Sequence, residues 1–208
     1  MASMTAVDGV LNLQGGTYTS LVYAAPSQPA EGGCSVSLTD AFKNADLSSM
    51  YSGKKKTVTI NGEEVEVSNG EIADELLGNV NSACSNSGQL RADLVEKFDK
   101  MACAFQKQFG VKFPLGQGYR PLSQQAQIYN DPAKVNSQGK RLGAYPGTSN
   151  HGFGEAFDWN TTDSAGVTGF ESAYYKWMSK NAASYGFQNP SWARKGGSKE
   201  EPWHWEPK

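Results

Sequence analysis

The sequence predicts an α+β fold. Amphipathic helical stretches at residues 90–109 and 170–185 stand among short strand-forming runs that do not repeat as even β-α-β units, and an Asn-Gly pair joins two alternating runs at residues 56–67. At 208 residues the chain is long enough for one well-packed domain with an appendage, or for two small domains. Its 23 glycines imply many turns.

Taken in order, the first 50 or so residues mix Gly, Ser, Thr, Ala and Pro with scattered apolar residues at no sustained period, which reads as a loosely structured arm. KTVTI and EEVEV then alternate apolar and polar residues around Asn61-Gly62, the signature of a two-residue hairpin turn. From Leu90, the residues Leu94, Phe98, Met101, Phe105 and Phe109 recur at spacings of four or three, one face of a helix that ends at Gly110. VKF at 111–113 reads as a short strand, and Pro121 to Tyr129 as a helix capped by Ser123. Residues 130–148, rich in Gly, Pro, Ser and Lys, read as a long surface loop of the kind that often carries function. Phe170 to Tyr185 forms a second amphipathic helix closed by Gly186, and WHW near the C-terminus reads as a strand.

Charge excludes some partners. A net charge of -2, with no like-charge run longer than Lys54-Lys55-Lys56, offers no long-range attraction to phosphates, so no nucleic acid is expected. No stretch approaches the roughly 20 apolar residues needed to cross a bilayer, so no membrane partner is expected either. The start MASMTAVDGVLNLQGG lacks the basic and apolar regions of a secretion signal, so delivery by another route is expected. Cys34, Cys84 and Cys103 show no CxxC spacing; one disulfide is open to them, and three buried or free thiols is the preferred reading.

The chemistry concentrates around the two histidines, each inside a dense cluster: SNHGFGEAFDW at 149–159 and EEPWHWE at 200–206. Neutral imidazole is the commonest zinc ligand, and catalytic zinc sites use three protein ligands with a fourth position open. His151, His204 and Asp158 meet that requirement. Asp158 lies seven positions after His151, an odd offset for a regular strand, and Gly152 and Gly154 permit the bend that reconciles the two. Glu201 lies three residues before His204, near the metal without being a ligand, and is the candidate base for the attacking water. Arg120 suits either a substrate carboxylate or a developing oxyanion. Trp203 and Trp205 read as packing around the site rather than as stacking platforms for sugar.

GYRPLSQQAQIY, PGTSNHGFGEAFDW and GFQNPSWARKGGSKEEPWHWE, in that order, resemble the D-alanyl-D-alanine carboxypeptidase family of cell-wall metallopeptidases over about residues 90–208. The resemblance implies one zinc ion per chain held by His151, Asp158 and His204, with Glu201 as catalytic base. It implies that Arg120 contacts the substrate carboxylate or the transition state, and that Ser149 and Gln125 belong to the substrate pocket. It implies a small antiparallel sheet with helices packed on one side and the zinc in a groove on the sheet. The substrates implied are peptidoglycan stem peptides, cut either at the terminal D-Ala or, as in L-alanyl-D-glutamate endopeptidases, within the stem.

The sequence therefore divides into an N-terminal arm, 1–88, expected to be dispensable for chemistry, and a catalytic domain, 89–208. The appended arm and the missing secretion signal point to a bacteriophage lysin, or to a virion protein that meets tail proteins through the arm, located in the virion or in host cytoplasm before release. The rival is a virion docking component with a vestigial zinc site; a structural zinc site would have a fourth protein ligand, and only three are legible.

Overall fold

A computed structural model describes residues 51–208 apart from 52, 61 and 138, together with two strands near the N-terminus. Contacts divide the chain into two units, Met1–Val36 and Ser37–Lys208. In the first, β1 (Gly9–Leu13) pairs antiparallel with β2 (Gly16–Ser20), so the arm contains a strand pair where no period was legible. The rest of the arm up to residue 50, Cys34 included, lies outside the described residues.

The second unit opens with the expected hairpin, β3 (Lys55–Ile60) and β4 (Glu63–Ser68), in register from Lys55 opposite Ser68 to Ile60 opposite Glu63. Val67 and Ile72 pack on Phe153, with Val58 and Val65 beside them, so the hairpin's apolar face rests on the segment that carries His151. A short antiparallel pair, β5 (Leu77–Asn79) and β6 (Gln89–Arg91), leads into α1 (Ala92–Phe109).

Helix α1 buries Leu94, Phe98, Met101 and Phe105 of the predicted stripe, adds Ala102, and leaves Phe109 half-buried against the same core. Across from it stands a four-stranded antiparallel sheet in the order β7 (Leu115–Gln117), β8 (Phe157–Trp159), β10 (His204–Pro207), β9 (Phe187–Gln188). Phe98 meets the rings of Phe113 at 5.4 Å and Phe157 at 5.1 Å, both edge-on. Such pairs stabilise by about 0.5–1.5 kcal/mol each beyond the area they bury. Strand alternation then positions the site. Phe157, Trp159 and Trp205 enter the core below the sheet, which leaves Asp158, His204 and Glu206 to the opposite face.

Several local expectations are corrected. The strand begins at Leu115 rather than in VKF, because Phe113 is spent on the aromatic core and pairs only as an isolated bridge with Ser85. Helix α2 (Leu122–Asn130) has Pro121 at its N-cap and no side-chain cap; Ser123 lies inside it, and the free Leu122 N–H bonds to Gly70 O instead. The stretch 170–185 is interrupted. Only Ala173–Asn181 is α-helix, α3, started by the Ser172 side chain accepting from Tyr175 N, with single 3-10 turns at Gly169–Glu171 and Ala182–Tyr185. Cys84 and Cys103 form a disulfide, which replaces the free-thiol reading for that pair.

The boundary drawn at residue 88 does not coincide with a break in contacts, which falls between Val36 and Ser37. Residues 51–88 are joined to the catalytic segment through backbone bonds such as Lys54 N to Gly147 O, 2.9 Å, and Gly70 N to Gly152 O, 2.7 Å.

Candidate active site

Three elements deliver three ligand atoms. Asp158 on β8 and His204 on β10 are direct cross-strand partners, so the antiparallel register places them side by side on one face. His151 arrives from a 3-10 turn, Asn150–Phe153, that ends at Gly154 with φ 63°, a left-handed conformation favouring glycine. That reversal is what the odd seven-residue offset between His151 and Asp158 requires. One donor atom from each of the three lies within 4.8 Å of the others.

Hydrogen-bond partners orient the two imidazole rings. His151 Nδ1 donates to Gly118 O at 2.9 Å, which leaves the Nε2 lone pair 3.2 Å from Asp158 Oδ1. For His204 the assignment is reversed. Its Nε2 donates to Glu206 Oε1 at 2.8 Å, and Nδ1 lies 2.9 Å from the same Asp158 oxygen. Each imidazole thus has its outer nitrogen tied and its inner one aimed at a carboxylate, the arrangement by which outer-shell partners orient metal-binding histidines. Two imidazole nitrogens and a carboxylate oxygen fit zinc, and among the described residues no further His or Cys closes the set.

The electrostatics agree. Burial raises the Asp158 pKa, but hydrogen bonds and charge from His151 and His204 outweigh it and hold the carboxyl well below the usual range. Burial lowers the His204 pKa, yet Asp158 and Glu206 outweigh it and raise it to about 9. Glu206, pushed up by burial, is pulled below its ordinary value by His204 and by Asn150, whose Nδ2 donates to its Oε1 at 2.8 Å.

A groove of about 490 Å³ opens over the cluster, and its lining includes Arg120, Ser149, Lys199, Glu201, Trp203 and Glu206. Glu201 is held in a turn that its carbonyl closes by accepting His204 N at 3.1 Å, with Pro202 second in the turn, where its fixed φ is favourable. The three-residue spacing in the sequence is therefore one tight turn, and Glu201 Oε1 pairs with Lys199 Nζ at 2.7 Å.

Arg120 leans on the metal cluster, with Nη2 3.7 Å from Asp158 Oδ2, while Nη1 donates to Gln125 Oε1 at 2.9 Å. Burial lowers its pKa against the pull of Asp158 and Glu201, and its buried Nε has no hydrogen-bond partner. Gln125 is absent from the groove lining. It is 2% exposed, stands behind Arg120, and is itself fixed by donating to Ala144 O at 2.6 Å. The structure thus brings His151, Asp158, His204, Glu201, Arg120 and Ser149 to one groove and sets Gln125 one layer back. Of the two tryptophans, Trp205 is core packing at 2% exposed, whereas Trp203 is 42% exposed on the groove.

Glu206 was not singled out from the sequence. The signal was present: in a strand, residue i+2 from a ligand shares its face.

Fold and site together define a metal-dependent hydrolase of the α+β class. The VanY family, described as D-alanyl-D-alanine carboxypeptidase, matches residues 87–206, more than half of the chain, and the protein belongs to it. Among solved structures, the chain is similar to a variant of the vancomycin-resistance D,D-pentapeptidase VanY in complex with Zn(II), at 24% identity and TM-score 0.47, covering 62% of this chain and 83% of that one. It is similar to VanYB in complex with D-alanine-D-alanine at 26% identity and TM-score 0.46, covering 59% and 74% respectively. It is also similar to the LD-carboxypeptidase LdcB, at 21% identity and TM-score 0.49, covering 74% of this chain and 84% of that one. No curated protein sequence matches.

Proposed function

We propose that this protein is a zinc-dependent carboxypeptidase that removes the terminal D-alanine of peptidoglycan stem peptides. The observation that carries the reading is the convergence of His151 Nε2, His204 Nδ1 and an Asp158 oxygen, with the outer nitrogen of each histidine already bonded. Zinc, when bound there, supplies a Lewis acid for the scissile carbonyl and acidifies the attacking water.

The chain's own residues do the remaining work. Glu201, presented into the groove by its turn, takes the proton from the attacking water and returns it to the departing amine. Arg120 holds a fixed positive charge beside Asp158, suited to an oxygen that becomes negative as the carbonyl is attacked or to the substrate's terminal carboxylate. Gln125 fixes the direction of that guanidinium, and Ser149 lines the same groove. Digestion of purified peptidoglycan, with mass determination of the fragments, tests the reading. Loss of one alanine from pentapeptide stems is expected; cleavage between L-alanine and D-glutamate would replace it with the endopeptidase reading, and no cleavage by zinc-loaded protein would overturn both.

For setting, we propose a bacteriophage wall-degrading protein, either a lysin or a virion component. The separate Met1–Val36 unit supports this as a docking or wall-binding element. Mass spectrometry of purified particles distinguishes a virion component from a lysin released at lysis.

A further inference from the structure

We infer that Asn69, on the turn that follows the β3–β4 hairpin, is a positioning residue for the His151 loop, so that a segment lying before the family-matched region completes the metal site. The inference rests on the zinc reading above. Asn69 is 1% exposed, and its Nδ2 donates to Ser149 O at 2.7 Å across 80 residues of sequence. The same Ser149 carbonyl accepts Gly152 N at 2.9 Å, closing the 3-10 turn from which His151 projects. The next residue, Gly70, donates its N–H to Gly152 O at 2.7 Å, and its own carbonyl accepts Leu122 N at 2.9 Å at the head of α2. Both ends of the four-residue turn Ser149–Gly152 are therefore gripped by the Asn69–Gly70 pair.

The fit is tight enough to constrain the sequence on the other side. A Cβ on Gly152 would stand 2.0 Å from Asn69 Oδ1 and 2.9 Å from Gly70 N, so glycine at 152 is what lets the hairpin turn approach. Asn69 is in turn held by its own N–H bonding to Lys54 O at 2.9 Å, and Lys54 N bonds to Gly147 O at 2.9 Å. Further along the loop, Glu155 is ion-paired to Lys56 of the hairpin and to Arg91, and Lys56 Nζ lies 4.4 Å from the centre of the Phe153 ring. The hairpin thus grips the loop at 147, 149, 152 and 155, on both sides of His151. Of these contacts, the Asn69 amide is the buried side-chain one: it acts on the backbone two residues from His151, beside the Gly70 bond to Gly152, and its loss leaves the Ser149 carbonyl with the Gly152 N–H alone.

The test is the zinc dissociation constant of the full chain, measured by competition with a chelating indicator, for Asn69→Asp, Asn69→Ala and Val80→Ala. Asn69→Asp keeps the shape but turns an acceptor toward the Ser149 carbonyl, and Asn69→Ala removes the donor. Val80 is 5% exposed in the main core, distant in sequence from the loop, and its truncation lowers stability without touching the grip. Both Asn69 variants should bind zinc several-fold more weakly than wild type, short of the roughly tenfold or more that follows loss of a direct partner of a metal ligand, because Asn69 acts on His151 through the backbone of its turn. Val80→Ala, compared at matched loss of melting temperature, should stay within about twofold. Folded Asn69 variants with wild-type zinc affinity would overturn the inference. So would failure of both to fold, which would assign Asn69 to the general fold. Wild-type protein that binds no zinc would instead overturn the metal reading itself.

Discussion

Glu206→Gln isolates the support behind a single ligand. Glu206 accepts from His204 Nε2 at 2.8 Å, and the amide oxygen of glutamine can still accept that bond, but its negative charge is gone. Two effects then oppose one another. Weakening an outer-shell partner lowers intrinsic metal affinity by roughly 10–100-fold, or about 1.4–2.7 kcal/mol. Yet zinc must also displace the proton that His204, with a pKa of about 9, carries at neutral pH. That competition costs wild type on the order of a hundredfold in apparent affinity at pH 7, recovered roughly tenfold per pH unit up to the pKa. Without the Glu206 charge the His204 pKa falls back toward its ordinary 6.5, and the variant escapes part of the competition. The two terms partly cancel at pH 7, whereas at pH 9 the competition has shrunk to about twofold and the loss dominates. A competition titration with a zinc-binding indicator at both values should therefore show a variant-to-wild-type ratio of dissociation constants of about fivefold or more at pH 9 and clearly smaller at pH 7. A ratio independent of pH, or no loss at pH 9, would refute the assignment of Glu206 as the partner that sets His204. The sign for the metal-free protein follows from the same values. A pKa raised from 6.5 to about 9 gives wild type a proton-linked stability fully present below about pH 6.5 and lost as pH rises through about 9.

Other outcomes are equally definite. Glu201→Gln should keep its zinc while turnover falls by on the order of a hundredfold or more; Glu200→Gln, whose carboxylate only caps Gly196 N at an exposed turn, should cost far less, and the reverse result would move the base by one residue. A shortened chain beginning at Ser87 should lose zinc affinity or solubility, because it lacks the hairpin, Asn69 and Cys84; full activity would show the grip on the His151 loop to be dispensable. Replacing Cys84 and Cys103 together by serine, which opens a loop of 19-residue separation, should cost about 3 kcal/mol by the chain-entropy relation, read as a lower midpoint in denaturant.

What the sequence disclosed and what it concealed divide along the range of the interactions. The α1 stripe, the Asn61-Gly62 hairpin and the two histidine clusters are local patterns, each written within about 20 consecutive residues or fewer, and the structure has all of them. The candidate ligands His151, Asp158 and His204 were legible because a cross-strand pair and one glycine reversal bring their local patterns together. The Asn69 clamp spans 80 residues and the disulfide 19, with no motif at either end, so neither could be read from spacing. The breaks at Ser172 and Ala182 in the second helix escaped for another reason. The apolar period continues across them, while the Ser172 side chain fixes where the α-helix begins. Gln125 carried the right motif and the wrong layer, since sequence cannot say whether a polar residue faces the substrate or the arginine that faces it.

The most direct test is anomalous scattering at the zinc edge from crystals of protein grown with equimolar zinc. One peak per chain is expected, bounded by His151 Nε2, His204 Nδ1 and the Asp158 carboxylate, with Glu206 still bonded to His204 Nε2. A peak elsewhere, or none at this site in protein that retains its fold, would contradict the zinc reading.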